Sequence, residues 1–489
     1  MQILNINQQM QPRMQKTIKK ELLINGGDLD LYLDIFLTEK NGETRKILTK
    51  KADSILANFM RILYIMMGRD VRNNVLGGTF YRLGHTFTGS SITNVTEGAS
   101  SRFRIQGTTN LFIDYPSNGI ITLGGFKGIT LAGRFSYNKI SNSIIDIIGT
   151  TYSVGWTAGT GGGACYFPLT AIGYPNYATF KNQGIVVGTG DEPVVIDDQQ
   201  LDAQVPNGSA NGMLTYGSTI VSQDTNDSTS AQITITRTFI NNASDLVAVS
   251  EIGYLMQAGD SNYVFMVMRD ILGSVVNVGS GATLTVNYRI KTVLDTGTDP
   301  GGFLVSFMRL LYRHIGQTTR AIFDIDNVSQ TYYPNPASFL VSHGGGITTE
   351  NPATGELQVG YKFGIVLGRG NSAVAMGDYY LETPIVHGEG TNEMLYYGCF
   401  VEGFTIGAGY AEFSIFKAIE NNSGVSIDVE EYVLTVASDD ASSFSDTFRD
   451  CANLFTMTRN VLTSPVTVAD QEILKVIYTL RCVVPGSSS

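Results

Sequence analysis

Gly184–Gly190 reads G-I-V-V-G-T-G, and 180 positions later Gly364–Gly370 reads G-I-V-L-G-R-G. A short Gly-rich string can recur by chance, so the register on either side decides its meaning. Asp198 and Leu201 match Asp378 and Leu381, and Gly208 matches Gly388, all at the same offset. So do Arg237 and Lys417, Asn241-Asn242 and Asn421-Asn422, Val247 and Val249 with Ile427 and Val429, and Glu251 with Glu431. The chain reads as two copies of one unit, which restricts it to architectures built from a repeated module.

Two further offsets extend the pattern. Arg269, Leu272, Ser274, Val276, Val278, Leu284, Val286 and Tyr288 match Arg459, Leu462, Ser464, Val466, Val468, Leu474, Val476 and Tyr478 at an offset of 190. The ten-residue slip falls between Tyr254–Ser261 and Leu434–Cys451, a loop-sized change. Upstream, F-M-R-I-L-Y at Phe59–Tyr64 matches F-M-R-L-L-Y at Phe307–Tyr312 at an offset of 248, and Gly68 matches Gly316. From that glycine to the Gly-rich string is 116 residues in the first copy and 48 in the second, so the first carries 68 more. The excess is expected within about residues 86–180.

Local patterns give the unit its structure. Leu29, Leu31, Leu33, Ile35 and Leu37 alternate with Asp28, Asp30, Tyr32, Asp34 and Phe36, the period of a strand with one aliphatic face. Asn41-Gly42 follows as a hairpin turn, with Arg45–Thr49 returning. Asp53 can cap a helix whose stripe is Ile55, Phe59, Ile62 and Met66, and Gly68 can stop it. Phe59, Leu63, Phe307 and Leu311 are expected in cores. Ile233–Phe239 alternates as a strand. In the extra segment Phe103–Ile105, Leu111–Ile113, Gly119–Leu123 and Ile129–Phe135 read as short strands. Ser141–Ile148 fits strand or short helix, and G-T-G-G-G at Gly159–Gly163 reads as a loop. Pro300–Gly302 links the copies. The fold class expected is mainly β: two related β-sandwich modules, each preceded by a short helix, with a β-rich insertion in the first. The divisions are a 1–27 N-terminal arm, flexible or ordered against a neighbouring subunit, a first module 28–295 with its insertion, and a second module 296–489.

Composition excludes several functions. Only 16% of residues are charged, the formal net charge is −11, and 54 residues are Gly. Lys16, Lys19 and Lys20 make only a loose cluster, so nucleic acid is not an expected partner. The first 15 residues lack the apolar stretch of a signal peptide. No run approaches the roughly 18 apolar residues of a membrane helix, so no membrane insertion is expected. Cys165, Cys399, Cys451 and Cys482 show no C-x-x-C spacing and read as free thiols of a protein made in a cytoplasm.

No motif carries chemistry. His85, His314, His343 and His387 are the only histidines, and none has metal-site spacing. His387 replaces Asn207 of the first copy, and His314 replaces Met66. The Gly-rich strings lack the Lys-Ser/Thr of a P-loop, and Asp191-Glu192 after the first would repel phosphate. The strings read as a strand ending in a turn where Gly tolerates positive φ. Asp197-Asp198, Asp439-Asp440 and Glu430-Glu431 are sequence neighbours, which point to opposite faces of a strand rather than across a cleft. Asp324–Asn327 resembles a calcium loop fragment without its Gly and distal Glu. Asp198/Asp378 read as turn residues, and Arg269/Arg459 as a loop brace or an intersubunit salt bridge. No catalytic, cofactor-binding or metal-binding residue is assigned, and no cofactor is expected.

The pieces G-I-V-V-G-T-G, T-R-T-F-I-N-N-A-S and M-R-D-I-L-x-S-V-V-N-V-x-x-G-x-T-L-T-V-N-Y are similar to a repeated unit in structural proteins of tailed-bacteriophage particles. The likeness covers residues 28–70 and 184–482. It implies a non-enzymatic virion subunit of tail, neck or collar, or head decoration, located in the virion after synthesis in the host cytoplasm. It implies packing against copies of itself as a homo-oligomer and against other virion proteins. Tyr174, Tyr177, Tyr379 and Tyr380 support an alternative, a carbohydrate-binding adhesin or receptor-binding surface protein.

Overall fold

The computed structural model describes residues 15–52, 55–67, 79–97, 100–106, 118–124, 133–141, 144–148, 159–172, 174–175, 184–225, 229–257, 263–295, 300–316, 320–332, 359–438 and 453–484. The chain is mainly β, with a short helix ahead of each main set of strands. β1 (Gln15–Ile24) and β2 (Leu29–Thr38) run in the same direction and are paired in the ladder only at Ile24 and Leu29. The chain therefore steps sideways by one strand at residues 25–28. Ile18, Leu22 and Ile24 of β1 and Leu29, Leu31, Leu33, Ile35 and Leu37 of β2 are buried, as period-two alternation requires. β3 (Thr44–Lys51) returns against β2 through the Asn41-Gly42 turn. In α1 (Ala57–Met67), Phe59, Ile62 and Leu63 enter the core. The cap Asp53 and the stop Gly68 lie outside the described residues.

The segment that follows is a closed barrel. Its strands are β4 (Thr79–Glu97), β5 (Ser100–Gln106), β6 (Asn118–Gly124), β7 (Gly133–Ser141), β8 (Ile144–Ile148) and β9 (Gly159–Ile172), in the order β4-β5-β8-β7-β6-β9. The insertion thus begins earlier than residue 86. Ser141–Ile148 contributes strand, and Leu111–Ile113 lies outside the described residues. Gly159–Gly163 opens β9 instead of forming a loop. It pairs with β4 where the ladder shifts register between Phe87 and Ser90, the kind of bulge at which strand glycines occur.

The first half continues with β10 (Tyr174–Pro175), β11 (Gly184–Gly188), β12 (Thr215–Tyr216), β13 (Ile220–Thr225), β14 (Ser230–Ile240), β15 (Val247–Gln257), β16 (Tyr263–Val278) and β17 (Thr283–Val293). One sheet runs β14-β17-β2, and the other runs β10-β16-β15-β11. Ile233, Ile235 and Phe239 from β14, and Leu284, Val286 and Tyr288 from β17, share one core with Ile252, Tyr254 and Met266.

The second half contains β18 (Gly301–Phe303), α2 (Val305–Gly316), β19 (Arg320–Phe323), β20 (Ser329–Tyr332), β21 (Gly364–Gly368), β22 (Val386–His387), β23 (Glu393–Gly407), β24 (Tyr410–Glu420), β25 (Ile427–Ser438), β26 (Asn453–Val468) and β27 (Ile473–Val483). Phe307 and Leu311 are buried. Its sheets run β1-β27-β24-β23-β22 and β18-β26-β25-β21. Corresponding positions pair alike: Ile55 bridges Met268, and Phe303 pairs Thr458. The β15–β16 ladder shifts between Val249 and Glu251, and the β25–β26 ladder between Val429 and Glu431.

The halves are not detached. β1 and β2 join their inner sheets into one 11-stranded sheet. β2 is antiparallel to β17 while β1 is parallel to β27, so β17 and β27 run in opposite directions. Residues 15–24 of the expected arm therefore pair as a strand of the chain's own sheet, while residues 1–14 lie outside the described residues. The reason is the alternating Ile18, Leu22 and Ile24, together with a β27 edge that would otherwise expose unpaired backbone. This strand precedes the first half in sequence and yet completes the second.

Candidate functional site

The repeated Gly-rich string is a cradle for a carboxylate, and the carboxylate belongs to the chain itself. Cβ atoms built at Gly188 and Gly190 would lie 2.4 and 2.6 Å from Glu251 Oε1. Close approach, rather than positive φ, demands glycine at these two positions; in the string only Gly184 has a positive φ, 97°. Gly190 N and Ala203 N donate to Glu251 Oε1 at 3.1 and 2.7 Å. Asp202 N donates to Oε2 at 3.1 Å, and Arg269 Nε and Nη2 donate to the same oxygen at 3.2 and 3.0 Å. Arg269 continues to Asp198 Oδ2 at 2.7 Å and to Glu192 O at 3.2 Å. Asp198 Oδ2 also accepts Val195 N at 2.9 Å, which closes a turn.

The second half repeats the arrangement bond for bond. Glu431 Oε1 accepts Gly370 N and Thr383 N, both at 2.9 Å, and Oε2 accepts Glu382 N at 3.2 Å and Arg459 Nε at 2.9 Å. Arg459 reaches Asp378 Oδ2 at 2.7 Å and Ser372 O at 3.3 Å. Glu251 and Glu431 are fully buried. A buried carboxylate is tolerable only when paired and hydrogen-bonded, and the short backbone loop supplies both conditions. Burial by itself would lower the pKa of each arginine, but the bonds from Asp198 and Glu251, and from Asp378 and Glu431, outweigh it and raise both. Glu251 and Glu431 accept hydrogen bonds on both oxygens and are closed to solvent, and they brace a loop onto a strand pair.

A second shared frame differs in chemistry. Arg237 Nε donates to Gly217 O at 2.8 Å and Nη1 to Ile185 O at 2.9 Å, with the guanidinium 4.9 Å from the Tyr216 ring. Lys417 takes the equivalent place, donating to Tyr361 O at 2.6 Å and Phe363 O at 2.8 Å beneath Tyr396. Burial pushes Arg237 down to about 10 and Lys417 down to about 8. Tyr216 N donates to Asn207 Oδ1, and Tyr396 N donates to His387 Nδ1, both at 3.1 Å. The His387 ring stacks on Tyr361, and burial followed by the Lys417 charge lowers its pKa. An accepting Nδ1 puts the proton of the neutral ring on Nε2. The second half thus carries a titratable imidazole where the first has the amide of Asn207.

The remaining candidates resolve into structural roles or lie outside the described residues. Asp324 Oδ1 accepts Asp326 N at 3.0 Å and Val328 N at 2.8 Å, a turn rather than a calcium loop. Asp197 receives Arg61 Nη1. Tyr379 is exposed, whereas the Tyr380 ring packs against Ile325, Phe363 and Leu454. Nothing is described of the His85 and His314 side chains, and His343 and Asp439-Asp440 lie outside the described residues. Among the described residues, no group of three or more His, Cys, Asp or Glu side chains could hold a metal ion. No helix among them is long and apolar enough to cross a membrane. Sequence reasoning missed the partner of Arg269, although Glu251 and Arg269 both recur in the second half. Comparison with protein-family models, with curated proteins and with solved structures finds no match to this chain.

Proposed function

We propose that this chain is a non-enzymatic structural subunit of a tailed-phage particle, in its tail, neck or collar, or head decoration. It packs in a symmetric homo-oligomer and against other virion proteins. The observation that carries the reading is the use of buried charge. In both halves the carboxylate–guanidinium braces turn inward onto backbone groups, which stiffens a scaffold and leaves these groups no role in a reaction. The sequence resemblance supplies the kind of particle, and a sheet running through both halves suits a building block that must hold its shape. Mass photometry and cryo-electron microscopy of the purified full chain test the proposal. A closed symmetric oligomer is expected. A protein that stays monomeric at micromolar concentration and binds one glycan strongly on an array would overturn it in favour of an adhesin.

A further inference from the structure

We infer that β1 is an exchangeable strand, which in the assembled protein adds to β27 of a second copy of this chain instead of its own. The inference rests on the oligomeric reading above. Among the described residues the second half supplies no strand of its own at this position. In the first half the place beside β17 is taken by β2, which leads through β3 to α1. The second half opens with β18 and α2, and among its described strands none lies beside β27 on the side away from β24. That side is filled by β1, in a parallel ladder from Gln15↔Ile473 to Ile24↔Cys482. Supplying a missing strand from elsewhere is an established mode of β-recognition, and its backbone bonds are the same whichever copy donates.

The connection is built for such a change. β1 is tied to the first half covalently, but its only ladder pair with β2 is Ile24↔Leu29. Docking onto its own β27 forces the jog at residues 25–28, where Asn25 has φ 61° and Gly27 has φ 138°. Short strained hinges favour exchange between copies. In the exchanged form the jog straightens and the contacts of β1 are remade, including Lys16–Glu472 at 3.0 Å and Glu21–Arg481 at 2.9 Å. What is given up are the bonds of the jog: Leu23 N to Asp28 Oδ2 at 2.7 Å, Asn25 N to Leu29 O at 2.5 Å, Asn25 Nδ2 to Ala52 O at 3.1 Å and Leu31 N to Asn25 Oδ1 at 3.3 Å.

Thr17 and Lys475 are direct partners in the ladder, so Thr17→Cys and Lys475→Cys place thiols side by side. The two single variants are co-expressed with tags of different mass and treated with a short bis-maleimide, beside the parent chain as control for native thiols. A cross-linked heterodimer is expected. Gly27→Val, which disfavours the jog, should raise the inter-chain fraction several-fold; if it does not fold, Gly27→Ala gives the same direction. An oligomer in which a chain carrying both cysteines bridges only within itself, with either hinge, overturns exchange and leaves the subunit reading intact. A monomer with only internal bridges overturns both.

Discussion

Replacing Glu251 by Gln exchanges one oxygen for an NH2 group and removes one charge, with almost no change in shape. Five donors converge on that carboxylate: Gly190 N and Ala203 N on one oxygen, and Asp202 N, Arg269 Nε and Arg269 Nη2 on the other. Whichever way the amide is turned, its NH2 group faces two or three of these donors. Each lost bond to a charged acceptor is worth about 1.5–3 kcal/mol, and breaking one side of a buried ion pair costs about 3–5 kcal/mol. Asp198 still receives Arg269 Nη1 and limits the damage, so we expect Glu251→Gln to destabilise the first half by about 4 kcal/mol. Against a typical total of roughly 5–15 kcal/mol this is severe. Urea unfolding followed by far-ultraviolet circular dichroism reads it as a lower midpoint. The exposed Glu192→Gln serves as control and should stay within about 0.5 kcal/mol. A Glu251→Gln loss below about 1 kcal/mol would refute this, because it would mean that the five donors do not depend on a second carboxylate oxygen. Glu431→Gln should behave the same way in the second half.

Other consequences follow from the differences between the halves. Because its folded pKa lies below 6.5, His387 stays neutral in the fold while the unfolded chain takes up the proton. Stability is therefore fully present above about pH 6.5 and declines below it; His387→Asn, the first-half residue, should flatten that acid limb in unfolding curves. Lys417 has a folded pKa of about 8 against 10.5 unfolded, so its burden is constant below pH 8 and is relieved as pH rises to 10.5. Lys417→Arg should abolish this rise in urea midpoint. Tyr396→Phe leaves Ile385 O and Leu367 N without their hydroxyl partner and should cost about 1–3 kcal/mol by the same assay. Deleting residues 1–25 removes the β27 ladder as well as any assembly contact. Lower thermal stability of the deleted chain is therefore expected by calorimetry, and an unchanged midpoint would count against a structural role for β1.

Much of the fold was legible because burial writes a period into sequence. Leu29–Leu37 and Ile233–Phe239 alternate as strands must, and Phe59, Leu63, Phe307 and Leu311 fall on the buried stripes of two helices. The offsets at 180, 190 and 248 located corresponding positions that turn out to make corresponding bonds. Of the two readings open for Arg269, a loop brace or an intersubunit salt bridge, the structure shows the brace, with Asp198 in its turn; Glu251 as the centre of the brace is not legible from sequence. Its place depends on a strand and a loop meeting across 61 residues, from Gly190 to Glu251. Gly159–Gly163 misled because glycine favours loops locally, while a barrel bulge tolerates it in a strand.

Sequence alone determined the strongly periodic elements, among them Leu29–Leu37, Ile233–Phe239 and the two helices, together with the apolar face of each and the positions that match between the halves, because these properties follow from local periodicity. Tertiary structure decided where β1 goes and what the Gly-rich cradle holds. Ten residues with one apolar face can add to any open sheet edge, since backbone hydrogen bonds carry no residue code; only the unfilled side of β27, more than 450 residues away, selects the partner. A loop of backbone N–H groups with no room for side chains can likewise receive many anions. Packing of β15 against β11 is what brings the Glu251 carboxylate there and leaves the cradle filled.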